Sequence, residues 1–215
     1  MSSNLSLILG TRNRKKGEEL HELLVPLGIV VETLGNYPNS IDVVEDGDSF
    51  AANARLKAAG QAVAIGAWVL GEDSGIAVDE LDGAPGIYSA RFSAVDATDE
   101  ENNRHLLEQL GNLPPERRGA KYVCHMTLCD PAGTVRAESE AECRGRIRTE
   151  PSGAHGFGYD PLFEVVEYHR TFGQLGPVVK SAVSHRARAA AMLIPQLRRL
   201  ISDGDWSPPK GPNAC

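Results

Sequence analysis

Short apolar runs, each closed by polar or glycine-rich punctuation, set the frame of this chain. Leu5 to Leu9 is apolar and ends at Gly10-Thr11, and from Arg14 the spacing of Leu20, Leu23, Leu24 and Leu27 marks one face of an amphipathic helix. Ile29 to Leu34 predicts a second strand. Asp48-Ser49 offers an N-cap to a helix that starts near Phe50 and runs through an alanine-rich stretch to Ile65. Ala67 to Leu70 predicts a strand that delivers Glu72 and Asp73 into a sharp acidic turn with Ser74-Gly75. Ile76 to Tyr88 holds two short alternating runs broken at Asp82-Gly83 and Pro85-Gly86, the pattern of a hairpin or loop, and Thr98 caps a helix to Leu110.

Beyond Pro114-Pro115 the period changes. Lys121 to Cys129 and Thr134 to Arg148 alternate apolar and polar positions around a Pro131-Ala132-Gly133 turn, which predicts a β-hairpin. Pro151 to Pro161 is glycine-rich, Leu162 to Val166 reads as a short strand, and Ser184 to Ile201 as the last helix. From Asp203 the chain carries Pro208-Pro209 and Pro212 and reads as a flexible tail over 203–215. Helices alternating with strands, plus one hairpin, predict a mixed α/β fold in a single domain over 1–202, with two lobes and a cleft between them.

Composition narrows the functions open to this chain. With 215 residues, 41% of them hydrophobic and 24% charged, it has ordinary globular character. A net charge of −7 argues against sequence-independent nucleic-acid binding, which needs a basic face. No run approaches the roughly 18 apolar residues of a membrane span. The four cysteines, Cys124, Cys129, Cys143 and Cys215, show no CxxC spacing. The expectation is a soluble, reduced, cytoplasmic protein that binds neither nucleic acid nor membrane.

Four constellations carry candidate chemistry. Thr11-Arg12-Asn13-Arg14-Lys15-Lys16 joins the first strand to the first helix, where free backbone N–H groups and basic side chains suit a polyphosphate; it lacks the Walker pattern. Glu45, Glu72 and Asp73 supply carboxylates of the kind that hold Mg²⁺ together with substrate phosphates. Adjacent acids at the end of an apolar strand repel one another and resist burial, so a bound cation would explain them. Gly156-Phe157-Gly158-Tyr159-Asp160-Pro161 frames an aromatic ring with glycines, as stacking on a flat heterocycle requires. Lys180-Ser181-Ala182-Val183-Ser184-His185-Arg186 places donors at a helix start. Taken singly, each also reads as an ordinary structural feature: a solvated helix entry, a surface or turn acid, a core aromatic, a helix-surface charge.

The order T-x-N-x-x-K, N-A-x-x-K-A, [DE]-D-S-G-x-x-V-x-x-L-x-G-x-P-G-x-Y-S-A-R, G-F-G-Y-D-P-x-F and K-S-x-x-S-H-R resembles the Ham1-like inosine triphosphatase family, the noncanonical purine nucleoside triphosphate pyrophosphatases, from Leu5 to about Leu200. The resemblance implies an α/β enzyme with an elongated mixed β-sheet flanked by helices and two lobes around a nucleotide cleft. It also implies a homodimer that uses Mg²⁺ to hydrolyse ITP, dITP and XTP to the monophosphate and pyrophosphate. By position, Thr11, Asn13, Lys16 and Lys57 would face the phosphates and Ser74 would contact substrate. Glu45, Glu72 and Asp73 would hold metal, with Asp73 the general base. Phe157, Gly158, Tyr159 and Asp160 would bind the base, and Lys180, His185 and Arg186 would make the remaining nucleotide contacts.

Donors such as Lys180 and Arg186 favour the 6-oxygen of hypoxanthine and xanthine over the 6-amino group of adenine; guanine carries the same oxygen, and nothing in the sequence marks its exclusion. The chain departs from the resemblance where bacterial members read F-x-E-N-A: here Ala52 removes an acid. It also has Glu72 in place of the first aspartate of D-D-S-G, and it lacks an acidic run over 173–179. No site residue is placed on the 121–148 hairpin. Two alternatives stay open: a related pyrophosphatase with another base preference, and a nucleotide-binding protein with a weakened metal site.

Overall fold

A computed structural model describes residues 5–206. The first apolar run forms β1 (Ser6–Leu9), which pairs in parallel with β2 (Val30–Thr33) on one side and with β3 (Val69–Val78) on the other. Helix α1 (Arg14–Leu24) links β1 to β2 and buries Leu20 and Leu24. Helix α2 (Phe50–Ile65), capped by Ser49 Oγ, which accepts from Ala52 N at 3.2 Å, leads into β3. Helix α3 (Asp99–Leu110) opens on a capping box in which the Thr98 hydroxyl accepts from Glu101 N and the Glu101 carboxylate accepts from Thr98 N.

The predicted hairpin is β4 (Gly119–Cys129) and β5 (Val135–Ile147), joined by a turn in which Gly133 N donates to Asp130 O. Short strands β6 (Phe163–Val165) and β7 (Arg170–Thr171) add antiparallel rungs, so the sheet of seven strands runs β2-β1-β3-β4-β5-β6-β7. Helices α4 (Phe172–Val183) and α5 (His185–Ser202) complete the chain, and the fold is mixed α/β. No helix among the described residues is long and apolar enough to cross a membrane.

Three readings of the sequence need correction. First, the strand feeding Glu72-Asp73 does not stop there: β3 carries both acids within it and continues to Val78. An interior strand buried on both faces loses the period-two alternation that marks a half-exposed one, and its charges are met by lysines, so neither signal of a strand end holds. Ile76–Val78 therefore belongs to β3, and only the remainder, through Arg91, is turn and short 3₁₀ helix. Second, α4 occupies a stretch, holding three glycines or prolines at Gly173, Gly176 and Pro177, to which the sequence analysis assigns no element. Thr171 and Gln174 form a capping box at its start, and Gly176, at φ +75°, joins two short helical segments across a kink. Third, the tail expected from Asp203 is anchored at Trp206, which is buried and stacks on Trp68 at 4.6 Å, while 203–205 are exposed. Residues 207–215, with the rest of that expectation, lie outside the described residues.

The chain divides into two compact units. One takes residues up to Asp73, His125–Glu140 and those from Ala189; the other takes Ser74–Cys124 and Ala141–Arg188. The first has a core of Ile8, Leu34, Ala58, Ala62, Val69 and Cys129. The second is larger in its apolar side chains, with Ile76, Leu106, Tyr122, Phe163 and Phe172 at its centre.

Candidate active site

The first unit gathers the acids and lysines. At Gly71 the backbone of β3 lies directly against α2: a β-carbon there would contact Ala54 O and come within 2.7 Å of Ala58 N, so only glycine permits the approach. That approach sets Asp73, two residues on and so on the same side of the strand, beside the face of α2 that carries Asn53 and Lys57, which lie one turn apart. Lys57 Nζ donates to Asp73 Oδ1 at 2.8 Å and to Glu45 Oε2 at 2.9 Å. Lys16 Nζ lies 3.1 Å from Glu72 Oε2. Glu72 is 1% exposed, Asp73 7% and Lys57 9%. Asn53, which the sequence reading left without a role, joins the cluster: its Nδ2 is 3.4 Å from Asp73 Oδ2, and its Oδ1 accepts from Gly47 N at 2.9 Å, tying down the loop that carries Glu45. The signal was available, since Asn53 and Lys57 stand four apart in N-A-x-x-K-A.

Burial acts on both members of the central pair. It pushes the Asp73 carboxyl up, and although Lys57 and Lys16 pull it down, burial together with the neighbouring Glu72 leaves it above the usual carboxylate range. Burial also works against the Lys57 ammonium, yet the combined charge of Asp73, Glu72 and Glu45 outweighs it and holds Lys57 protonated above its ordinary range. Lys57 was expected to face phosphates; in this structure it joins two of the candidate metal acids. Among the described residues no three His, Cys, Asp or Glu side chains are grouped as a ligand set; ammonium groups meet Glu45, Glu72 and Asp73.

The loop before α1 is built for a different task. Thr11 Oγ1 accepts from Asn13 N at 3.2 Å, and Asn13 Oδ1 caps the helix by accepting from Lys16 N at 3.1 Å. The Asn13 oxygen therefore orders the helix start. Thr11 is half-buried and Asn13 exposed at the mouth of a cavity of about 560 Å³ that also borders Arg12, Arg14, His21 and Thr33.

The second unit assembles the other group. Asp160, 1% exposed, is a hub: it accepts from Phe157 N at 2.9 Å, from the Tyr122 hydroxyl at 3.3 Å and from Lys180 Nζ at 2.5 Å. Gly156, at φ +79°, gives Asp160 room, since a β-carbon would strike its carboxylate. The Lys180 ammonium sits over the Phe157 ring, 4.4 Å from its centre, and the Arg186 guanidinium is 5.9 Å from the same ring. Arg186 also donates to Ser74 Oγ at 2.9 Å. Phe157 and Gly158 are half-buried, whereas Tyr159, Asp160, Lys180, His185 and Arg186 are buried.

Two residues expected to contact substrate make contacts in the core. Tyr159 donates to Ser89 O at 2.8 Å, and the His185 ring stacks flat on Tyr122 at 4.5 Å. Tyr122, which the sequence reading passed over on the hairpin, supports this group. Burial, with the Asp160 charge beside it, raises its hydroxyl well above the ordinary range, so it acts as a fixed donor.

Comparison with known proteins places this geometry in context. The chain matches the sequence profile of the Ham1 family over residues 7–196. It is 51% identical over 207 residues to a dITP/XTP pyrophosphatase of Rhodopirellula baltica, covering 96% of this chain and all of that protein. A dITP/XTP pyrophosphatase of Desulforamulus reducens is 42% identical, over 91% of this chain and 97% of its own. Among solved structures, a HAM1 protein from Coxiella burnetii superposes with a TM-score of 0.83 at 34% identity, covering 91% of this chain and 99% of that one. With the acidic and aromatic motifs in place and the match running nearly end to end, this chain belongs to the Ham1 family.

Proposed function

We propose that this protein hydrolyses ITP, dITP and XTP between the α and β phosphates, giving the nucleoside monophosphate and pyrophosphate. The observation that carries the proposal is the pair of buried acids on β3, Glu72 and Asp73, each held by a lysine. The names of the pyrophosphatases from Rhodopirellula baltica and Desulforamulus reducens agree with it.

In the reaction, a water oxygen bonds to phosphorus as the bridging P–O bond of the α–β anhydride breaks. The water's proton passes to the Asp73 carboxylate, and the electron pair of the broken bond leaves with pyrophosphate. A carboxyl held above the usual range by burial is a stronger base than an exposed one once ionised. Lys16 and Lys57 supply positive charge for the phosphate oxygens, and the capped start of α1, with the Thr11 hydroxyl and Asn13, supplies N–H and O–H donors.

The donor set suits a hard divalent cation such as Mg²⁺, because it consists of carboxylate oxygens and the two buried acids are adjacent. Glu45, Glu72 and Asp73 would hold it, and when bound it would draw charge from the phosphate oxygens. Ala52 has no oxygen to offer such a cation, and Glu72, longer by one methylene than aspartate, would compensate from the E-D-S-G motif.

Base recognition falls to the second unit. Phe157 offers a half-buried ring for stacking, and the Lys180 and Arg186 donors beside it favour a 6-oxygen over a 6-amino group. Ser74 anchors Arg186 by accepting its hydrogen bond. A homodimer in the cytoplasm completes the proposal. The buried Cys124, Cys129 and Cys143, none of them in a disulfide, suit a reducing compartment, and light scattering in solution tests the dimer.

The deciding experiment is pyrophosphate release from ITP, XTP, dITP, GTP and ATP, with and without Mg²⁺, for the parent and Asp73→Asn. The proposal expects Mg²⁺-dependent turnover of ITP, dITP and XTP well above GTP and ATP, and a loss of roughly a hundredfold or more in Asp73→Asn. An unimpaired Asp73→Asn, or a parent inactive on all five, overturns it.

A further inference from the structure

We infer that Asp99 and Asn103 of α3 are positioning residues for base recognition, gripping the Gly158 backbone from both sides and thereby setting the face that Phe157 presents to a purine. The inference rests on the reading that the Phe157–Asp160 stretch meets the base. Asp99 Oδ2 accepts from Gly158 N at 2.8 Å, and Asn103 Nδ2 donates to Gly158 O at 3.0 Å. The two side chains stand four apart and so share one face of α3. Gly158 sits at φ +61°, a left-handed conformation that a side chain disfavours. In that conformation both backbone groups of Gly158 are bonded to α3.

Asn103 is buried at 8% exposure, and its own Oδ1 has no hydrogen-bond partner among the described residues. Burying an amide with one end unsatisfied is unfavourable, and the bond to Gly158 O is what its other end makes. The helix that carries the grip is itself fixed. The Thr98–Glu101 capping box sets its start, and Asn102 accepts from Ser93 N at 2.9 Å while donating to Ala90 O at 3.1 Å.

Downstream, the Phe157–Gly158 peptide is held from its other end, because Asp160 N donates to Phe157 O at 3.3 Å; Phe157 N in turn donates to Asp160 Oδ2, the same oxygen that receives Lys180. Releasing Gly158 lets that peptide turn and tilts the Phe157 ring relative to the Lys180 and Arg186 donors. Discrimination between a 6-oxygen and a 6-amino group depends on that angle, whereas the phosphate chemistry belongs to residues of the other unit.

The test uses the full-length protein with Asn103→Leu, Asp99→Ala and Asp99→Asn, the last keeping an acceptor for Gly158 N. Steady-state kinetics on ITP and ATP are read beside inhibition by inorganic tripolyphosphate, which has no base, and beside thermal melting. Asn103→Leu and Asp99→Ala are expected to raise KM for ITP about tenfold and narrow the ITP-to-ATP ratio of kcat/KM. Their kcat stays within about threefold of the parent, and tripolyphosphate inhibition is unchanged. Asp99→Asn recovers most of the lost affinity. If KM and the ITP-to-ATP ratio stay parental while melting drops, α3 is merely structural and the inference is overturned. It is overturned equally if tripolyphosphate inhibition weakens in step with ITP. A parent that turns over no nucleotide refutes the activity itself, a result distinct from either.

Discussion

Lys57 shows how one residue sets the behaviour of another. Its ammonium bridges Asp73 and Glu45, and it opposes the burial that raises the Asp73 carboxyl. Lys57→Met removes that opposition, so the Asp73 carboxyl rises further and ionises only at higher pH. The acid limb of the kcat/KM profile for ITP is therefore expected to move to higher pH in Lys57→Met; a limb that stays in place would remove Asp73 from the role of base. Arg118 acts on stability instead. It is 1% exposed and donates to four carbonyls: Ile147 at 2.9 Å, Arg148 at 3.2 Å, Gly111 at 3.3 Å and Leu113 at 3.4 Å. Arg118→Leu strands those oxygens at a cost of about 3 kcal/mol, which lowers the melting temperature by on the order of 10 °C. Calorimetry of the purified variant measures this directly. The lysines, acids and aromatic were each legible as residue types; that Lys57 stands between Asp73 and Glu45 was not, because pairing depends on where α2 and the 45 loop pack.

At the scale of elements, the close packing of β3 on α2 is the feature that builds the acidic cluster. Gly71→Ala forces a β-carbon into Ala54 O and Ala58, so the strand must lift from the helix. The expected cost is about 1–3 kcal/mol in a chemical denaturation experiment. The accompanying loss of activity exceeds what unfolding explains, because Asp73 and Lys57 separate. A variant that loses stability but keeps full turnover would show that the cluster tolerates the shift. The hairpin elements make a different prediction. Cys129 and Cys143 are fully buried on β4 and β5, and burial pushes both thiols up to about 11. Neither is expected to react with a thiol reagent at pH 8 until the protein unfolds, as peptide mapping after labelling would report. These elements were largely legible: the capped helices α1, α2 and α3 and the hairpin follow from local signals. The strand β3 and the kinked α4 were not, because burial on both faces erased the alternation of one and glycine and proline masked the other.

For the molecule as a whole, a net charge of −7 makes the acid limb of stability informative. Glu138 is held down to about 2, chiefly by the two-pronged hydrogen bond from Arg55 at 2.6 and 2.7 Å, with Thr127 and His125 adding donors. A carboxyl whose folded value lies below its unfolded value of roughly 4.3 stabilises the protein above that pH, and the stabilisation is lost as pH falls towards 2. Arg55 is half exposed, so solvent screening limits the contribution to about 1–2 kcal/mol at pH 7. Urea unfolding of Glu138→Gln against the parent is expected to show that gap at pH 7 and to show it reduced by about half at pH 3; an equal gap at both would assign it to shape instead. By itself, the sequence determined the elements with strong local signals, the family through motifs in fixed order, and the residue types of the chemistry, because caps, periods and motif spacings are written along the chain. Only the tertiary structure decided that Lys57 joins Asp73 to Glu45, that Tyr159 and His185 turn inward, and that α3 holds Gly158. Those relations join residues far apart in the chain, and packing, which no local pattern encodes, brings them within hydrogen-bond reach.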